Sequence, residues 1–367
     1  MGLCNLTMLK SKIIKEDLSM KITVLAGGLS PERDVSKKSA SLIANALLSK
    51  GHEVAVIDLY DGIEDGTDIN GLFRKGTDDL FSYDIPETEP DLAKIIEEHG
   101  GRAEWLGPRV IEICKVSDVT FLGLHGSHGE NGQIQAVLDA YGIKYTGCNY
   151  IGCVVAMDKD LSKSLAAGAG FKTAKWFTAE SSEITKDRIK SEIGIPCVVK
   201  PIGCGSSCGV SVVKTEEELD KAIEFASSYD QLILVEQFIT GREITVGVLG
   251  GKALPIIEIR PHVGFYDYKN KYQAGLTTHL CPAPMSEEAT TKAQKEAEDI
   301  FSCLRMSSYG RIDMIYDEDK CEFWFIEANN LPGMTNTSLV PEAAAAAGIG
   351  YEDLCERIAL SSGKATV

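Results

Sequence analysis

The patterned part of the chain begins with an apolar run, KITVLAGG (21–28), that ends in two glycines. A short apolar run closed by turn residues predicts a buried strand. Ser30 and Pro31 then offer a helix N-cap and a first helical position. Val35, Leu42, Ile43, Ala46 and Leu47 follow at helical spacing, Gly51 stops the helix, and EVAVIDLY (53–60) predicts a second strand. Residues 61–118 are acidic and turn-rich, with one helix near 91–99. VTFLGLHG (119–126) is a strand entering a glycine-rich loop, with a helix over 132–141 behind it. Alternating strands and helices of this kind build an open α/β sheet.

A second unit opens near Cys148, with a helix over 158–168, a strand over 172–178, a charged helix over 181–193 and the strand PCVVK (196–200). IGCGSSCG (202–209) leads straight into VSVV (210–213), which predicts a strand–loop–strand hairpin. From about 237 the chain is strand-rich to 260, with an aromatic, polar loop at 263–280 and a long helix over 286–304. Two strands, RIDMIY and EFWFIEAN, precede the terminal helices. The divisions expected are an extension (1–19), an N-terminal unit (20–147), a central unit (148–236) and a C-terminal unit (237–367).

Composition narrows the classes. With 37 Lys and Arg against 54 Asp and Glu in 367 residues, the net charge of −17 opposes a polyanion-binding surface. No stretch approaches the roughly 18 apolar residues that span a bilayer. The first nineteen residues lack the apolar core of a secretory signal. Eleven cysteines without a CxxC pair argue against a zinc ribbon or a disulfide scaffold and suit a reducing compartment. The expectation is a cytoplasmic protein with neither nucleic acid nor membrane as partner.

Three constellations carry chemistry. In the first, Gly203, Gly205, Gly209, Ser206 and Ser207 lie between strands just after Lys200, so backbone amides, hydroxyls and an ammonium can close on phosphate. A plain flexible hairpin is the competing reading. The second is Arg311, Asp313, Glu327 and Asn329, which alternate along the last two strands. They share a face if the connecting loop has an odd residue count; a three-residue loop would oppose Arg311 to Glu327. Two carboxylates, an amide oxygen and an arginine suit Mg²⁺ with a triphosphate; a salt-bridged solvent face competes. The third is the loop pair GGLSPE (27–32) and LHGSHGENG (124–132), both at strand ends where open α/β sheets bind ligands. Glu32 also reads as a first-turn acid and His125 as a loop-packing histidine. Gly27, Gly28 and Asp58 would serve a nucleotide-binding oxidoreductase, but GGLSPE is not GxGxxG. Cys204 and Cys208 lack further metal ligands nearby and read as buried thiols.

GGLSPERDVSKKSA, HGSHGENGQIQAVLD, YTGCNYIGCVVAMDK, VVKPIGCGSSCGVS, FYDYKNKYQAG, GRIDM and IEANNLPGMTNTSLVP resemble, in order, the motifs of D-alanine–D-alanine ligases, which are ATP-grasp carboxylate–amine ligases. The resemblance runs from about residue 20 to 361. It implies an α/β (α+β) ATP-grasp fold: a Rossmann-like open sheet followed by two domains that sandwich ATP. Glu32 would hold the ammonium of the first D-amino acid, with His125 beside it. Lys159 and Lys200 would grip the ATP phosphates under Ser206 and Ser207. Glu236 would read the adenine amino group and Glu243 the ribose. Lys271 would reach the γ-phosphate, and Tyr272 would bond to Ser206. Asp313, Glu327 and Asn329 would bind two Mg²⁺ ions, with Mn²⁺ as an alternative. Arg311 and the Gly333 amide would stabilise the oxyanion, and Ser338 with Leu339 would seat the second substrate's carboxylate. The implied activity is ATP-dependent formation of D-alanyl-D-alanine for peptidoglycan precursors by a cytoplasmic homodimer. A ligase joining D-alanine to D-serine or D-lactate shares every ATP residue. The chain departs from the family pattern at Asn131, Gly275, His279 and Asn330-Leu331.

Overall fold

The computed structural model describes residues 19–86, 88–205, 207–262 and 277–361, and the strands among them form three sheets. The first sheet has the order β2-β1-β3 and is parallel throughout, from β1 (Lys21–Ala26), β2 (Glu53–Asp58) and β3 (Val119–Leu122). Parallel neighbours need a crossover, and α1 (Arg33–Ser49) supplies the first, burying Ala40, Ile43, Ala44 and Leu47. The helix starts later than the Ser30-Pro31 signal suggests. Glu32 occupies the cap position, and the Ser30 hydroxyl instead accepts from the Glu32 amide at 3.1 Å. The acidic 61–118 stretch contains α2 (Leu92–Glu98) and α3 (Val110–Val116). Gly27 (φ 66°) leaves room for Asp58, whose carboxylate would meet any added Cβ at 1.9 Å. Asp58 itself pairs with Arg33 at 2.9 Å and Lys37 at 3.1 Å. The carboxylate that a dinucleotide ribose would need is thus spent internally, which removes the oxidoreductase reading.

After α4 (Ser127–Glu130) and α5 (Gln133–Ala140), the chain forms α6 (Tyr150–Met157) and α7 (Lys159–Gly168). The single strand expected over 172–178 is two. β4 (Lys172–Thr173) pairs in parallel with Trp324 and Phe325, and β5 (Trp176–Glu180) joins a different sheet. The charged helix expected over 181–193 is likewise a 3₁₀ turn followed by α8 (Lys186–Glu192), which Thr185 caps by accepting from the Arg188 amide. With β6 (Cys197–Pro201), β7 (Ser211–Val213), α9 (Leu219–Ser227) and β8 (Leu232–Gln237), this unit makes an antiparallel sheet of order β5-β8-β6-β7. Phe177, Ile189, Val199, Leu219 and Ile233 fill the core between that sheet and its helices.

The third sheet has seven strands, built on β9 (Arg242–Leu249), β10 (Lys252–Ala253), β11 (Ile257–Pro261) and β12 (Thr277–Leu280). The last of these is the described end of the loop expected at 263–280; the remainder of that loop lies outside the described residues. α10 (Glu287–Cys303) covers the sheet, and β13 (Tyr309–Asp317) and β14 (Glu322–Asn329) form its central hairpin. The expected register is corrected here. The turn has four residues, 318–321, and Arg311 faces Asn329 while Asp313 faces Glu327. An even turn would put the two pairs on opposite faces. The register shift after Asp313, which leaves Ile326 without an opposite residue, brings them back together. α11 (Leu339–Ala346) and α12 (Tyr351–Ser361) then return to α1, where Lys50 pairs with Asp353 and, at 3.3 Å, with Glu356.

Candidate active site

The site is organised by the β13–β14 hairpin. Burial along β14 alternates through Phe323 and Phe325, slips at Ile326, and resumes at Ala328. Glu327 and Asn329 therefore leave the core side and join Asp313 and Arg311. Asp313 accepts from Arg311 Nε at 2.8 Å and Nη2 at 2.9 Å, from Asn329 Nδ2 at 3.1 Å, and from the Thr245 hydroxyl at 2.5 Å. Glu327 lies 3.4 Å from Lys159.

One cleft, of about 1000 Å³, opens between the four-stranded sheet and this hairpin. Lys159, Lys200, Ser207, Glu236, Glu243, Asp313 and Glu327 line it, and Val198, Phe238, Ile315 and Trp324 give it an apolar end. Lys159 opens α7 and donates to the Cys204 carbonyl at 2.6 Å, tying the helix to the glycine-rich hairpin. Glu236 is buried between Lys200 and Lys163, each at 2.6 Å. Burial opposes its ionisation, but the two ammonium groups outweigh that and hold its carboxyl below the usual range. Burial pushes Lys163 the other way, down from an ordinary lysine. Sequence reasoning missed Lys163; its signal was the i,i+4 spacing from Lys159, which puts both on one face of α7.

The second cleft holds Glu32, His125, Arg311, Asn329, Gly333, Ser338 and Leu339. Gly126 (φ 68°) lets the 124–132 loop lie against α1: an added Cβ would sit 2.6 Å from the Ser30 hydroxyl and 3.1 Å from Glu32 Oε2. His125 is buried beside Ser39, whose hydroxyl is 3.1 Å from Nε2, and burial lowers its pKa, so the ring is neutral. Glu130, also missed, stands 4.0 Å from His125 Nδ1. Burial, and then the Glu32 charge, push its carboxyl up to about 8. Ser338 packs where a Gly333 Cβ would be, 2.8 Å away, and accepts from the Thr335 amide at 3.0 Å. Tyr351 of α12 secures the same loop by donating to the Met334 carbonyl at 2.6 Å.

Every expected site residue among the described residues lies in one of these two clefts; Ser206, Lys271 and Tyr272 fall outside the described residues. Gly275 lies outside the described residues, and three of the other departures have structural partners. Asn131 accepts from the Gln133 amide, Asn330 donates to the Glu130 carbonyl at 2.9 Å, and His279 meets Glu342 at 2.8 Å. Among the described residues no three His, Cys, Asp or Glu gather to cage a metal. The two carboxylates and one amide oxygen of the hairpin are instead a partial, hard-oxygen donor set, which fits Mg²⁺ completed by phosphate oxygens.

Family models described as the N-terminus and C-terminus of D-Ala D-Ala ligase match residues 21–148 and 165–359. A D-alanine–D-alanine ligase from Pediococcus pentosaceus is 42% identical over 94% of this chain and 98% of its own length. The crystal structure of D-alanine–D-alanine ligase from Bacillus anthracis covers 94% of this chain and 97% of its own at 30% identity, with a TM-score of 0.72. The same enzyme complexed with ATP gives 0.70 at 28% identity, covering 94% and 96%. These likenesses make the three-sheet architecture an ATP-grasp fold. Agreement in family models, in sequence over nearly the whole length, and in fold places the chain in the D-alanine–D-alanine ligase family.

Proposed function

We propose that this protein joins two D-alanines into D-alanyl-D-alanine at the expense of ATP, giving ADP and phosphate, as a step toward peptidoglycan precursors. The observation that carries the reading is the shared hairpin: Asp313 and Glu327 line the cleft with the lysines, while Arg311 and Asn329 line the cleft with Glu32 and Ser338. A carboxylate accepts an amine only after one oxygen becomes a leaving group. The γ-phosphoryl group must therefore pass from one cleft to an acid held in the other, and the hairpin is where they meet.

Glu32 holds the ammonium of the first D-alanine and so aims its carboxylate at the hairpin. Lys159 and Lys200 hold the phosphates beside Ser207, where Ser206 would add a donor and Lys271 would reach the γ-phosphate. The base lies at the apolar end, with Glu236 reading its amino group through the lone pairs that Lys163 and Lys200 leave available, and Glu243 takes the ribose. Asp313, Glu327 and Asn329 would hold two Mg²⁺ ions, whose charge would offset that of the transferring phosphoryl group. Arg311 and the Gly333 amide neutralise the oxyanion as the second amine attacks. Ser338 and Leu339 seat the acceptor, Tyr272 would bond to Ser206 once the site is filled, and a neutral His125 adds no like charge beside the ammonium.

The same reading makes the protein a cytoplasmic homodimer. The apolar strip of Tyr150, Ile151 and Val154 on α6 and Leu161 and Leu165 on α7, each at least 40% exposed, supports a second copy. ADP release, assayed against D-alanine, D-serine and D-lactate, tests the function. It should require D-alanine and yield D-alanyl-D-alanine; ADP release indifferent to D-alanine would sink the proposal.

A further inference from the structure

The 61–118 segment has no part in the chemistry above, yet it reaches the second cleft. Ile85 lines that cleft together with Val35, Leu42 and Leu339, and is 48% exposed. An exposed isoleucine alone needs no explanation. This one is delivered by a strap, residues 79–86, fastened along α1 at several points. Asn45 clips one end, its amide donating to the Phe81 carbonyl at 2.9 Å and accepting from the Phe81 amide at 2.9 Å. Nearer the start of the helix, Lys38 pairs with Asp84 at 3.6 Å and Asp34 accepts from the Tyr83 hydroxyl. Arg74 closes the strap from outside, donating to the Leu80 carbonyl at 3.1 Å and lying 4.0 Å from the Phe81 ring centre. The polar partners hold the backbone to the helix, and the branched apolar side chain ends at the cleft.

We propose that Ile85 is a specificity-determining residue that confines the side chain of the second D-amino acid to methyl size. The inference rests on reading this cleft as the amino-acid site. Glu32, Arg311 and Ser338 engage the charged ends of the substrates, so the side chain is left to the apolar lining. Lys38 and Leu42 lie progressively beyond Glu32 along α1, and the Asp84 pair sets Ile85 at the level of Lys38. Lys38 lies six residues along the helix from Glu32, about 9 Å of rise, so the wall stands away from the first ammonium in the cleft that Ser338 and Leu339 also line. A methylene in such a pocket discriminates by roughly tenfold or more.

D-Alanine and D-norvaline are allowed to compete as second substrate, and each dipeptide is sequenced by mass spectrometry. Ile85→Ala should raise the ratio of kcat/KM for D-norvaline over D-alanine by about tenfold or more, with norvaline at the C-terminal position. Ile85→Val should move the ratio the same way by less, which keeps the test available if the alanine variant folds poorly. Ser338→Ala is the control for the cleft and should raise KM for the second D-alanine. An unchanged KM there overturns the cleft assignment and the inference together. A raised KM with unchanged ratios in both Ile85 variants, or norvaline only at the first position, overturns the role of Ile85 alone.

Discussion

Glu327 and Glu130 are both carboxyl groups in the site, and their surroundings set them opposite tasks. Glu327 faces Asp313 across the hairpin, and the Lys159 ammonium 3.4 Å away offsets the like charge beside it. Glu327→Gln keeps the shape and removes the charge, so turnover should fall by about 100-fold or more while the melting temperature stays close to wild type. Near-normal activity at saturating Mg²⁺ would take Glu327 out of the site. Glu130 is held protonated. Burial and the nearby Glu32 raise its pKa to about 8; the Gly126 amide, Lys159 and Arg311 oppose them, and His125 faces it as a neutral ring. Between about 4.5, its unperturbed value, and 8 the folded protein binds the proton that the unfolded chain has lost. This carboxyl therefore lowers stability as pH rises through that window, by at most about 1.4 kcal/mol per pH unit, and no further above it. Glu130→Gln should remove the slope, so melting curves of the two proteins should separate from pH 5 to 8; parallel curves would contradict the raised pKa. Residue type and motif pointed to Glu327, Arg311 and Glu32, and all three line the clefts. Thr245 was not legible, because a threonine inside a strand is ordinary and its bond to Asp313 exists only once β9 and β13 pair.

Elements were legible wherever one period ran unbroken, as in β1, α1 and α10. The β13–β14 hairpin shows why register was not. EFWFIEAN is apolar on both faces, since Trp324 and Ile326 line a cleft that wants apolar surface while Phe323 and Phe325 fill the core. Alternation then cannot reveal the slip at Ile326, and only the paired strand does. The division at Ala174 and Lys175 was hidden similarly: both halves are extended, and only sheet membership separates β4 from β5. α7 offers a test at this scale. Asp158 caps it by accepting from the Leu161 amide at 2.9 Å, immediately before Lys159. Asp158→Ala should cost about 1 kcal/mol of stability and, by fraying the turn that aims Lys159, raise KM for ATP several-fold. Asp158→Asn should retain both. Unchanged melting and KM in the alanine variant would show that Lys159 is positioned by its contacts with Cys204 and Glu327 alone.

Across the whole molecule, the nucleotide cleft is a seam between separately built cores. Lys200 and Glu236 come from the four-stranded sheet with its own apolar interior, while Asp313, Trp324 and Glu327 come from the seven-stranded sheet over α6, α7 and α10. The N-terminal sheet is joined to the C-terminal helices through α1 and α12, so the second cleft is braced on both sides. A ligand that touches both sides of the seam binds only the assembled arrangement and stabilises it through linkage, by about 2.7 kcal/mol at a hundred times its dissociation constant. A non-hydrolysable ATP analogue should therefore raise the melting temperature of the wild type, and Mg²⁺ should enlarge the rise, because Asp313 and Glu327 lie on one side of the seam and the phosphates would bridge to Lys200 on the other. The contributions are separable. Glu327→Gln should keep the increment from nucleotide alone and lose most of the increment from Mg²⁺. Lys200→Met should weaken the nucleotide increment, and also expose the cost of leaving buried Glu236 with Lys163 alone as a lower starting stability. The measurement is thermal unfolding of the three proteins with Mg²⁺ alone, with analogue alone, and with both. If the wild type gains the same from the analogue with and without Mg²⁺, the hairpin carboxylates do not hold the metal against the nucleotide, and the hairpin loses its place as the junction of the two clefts.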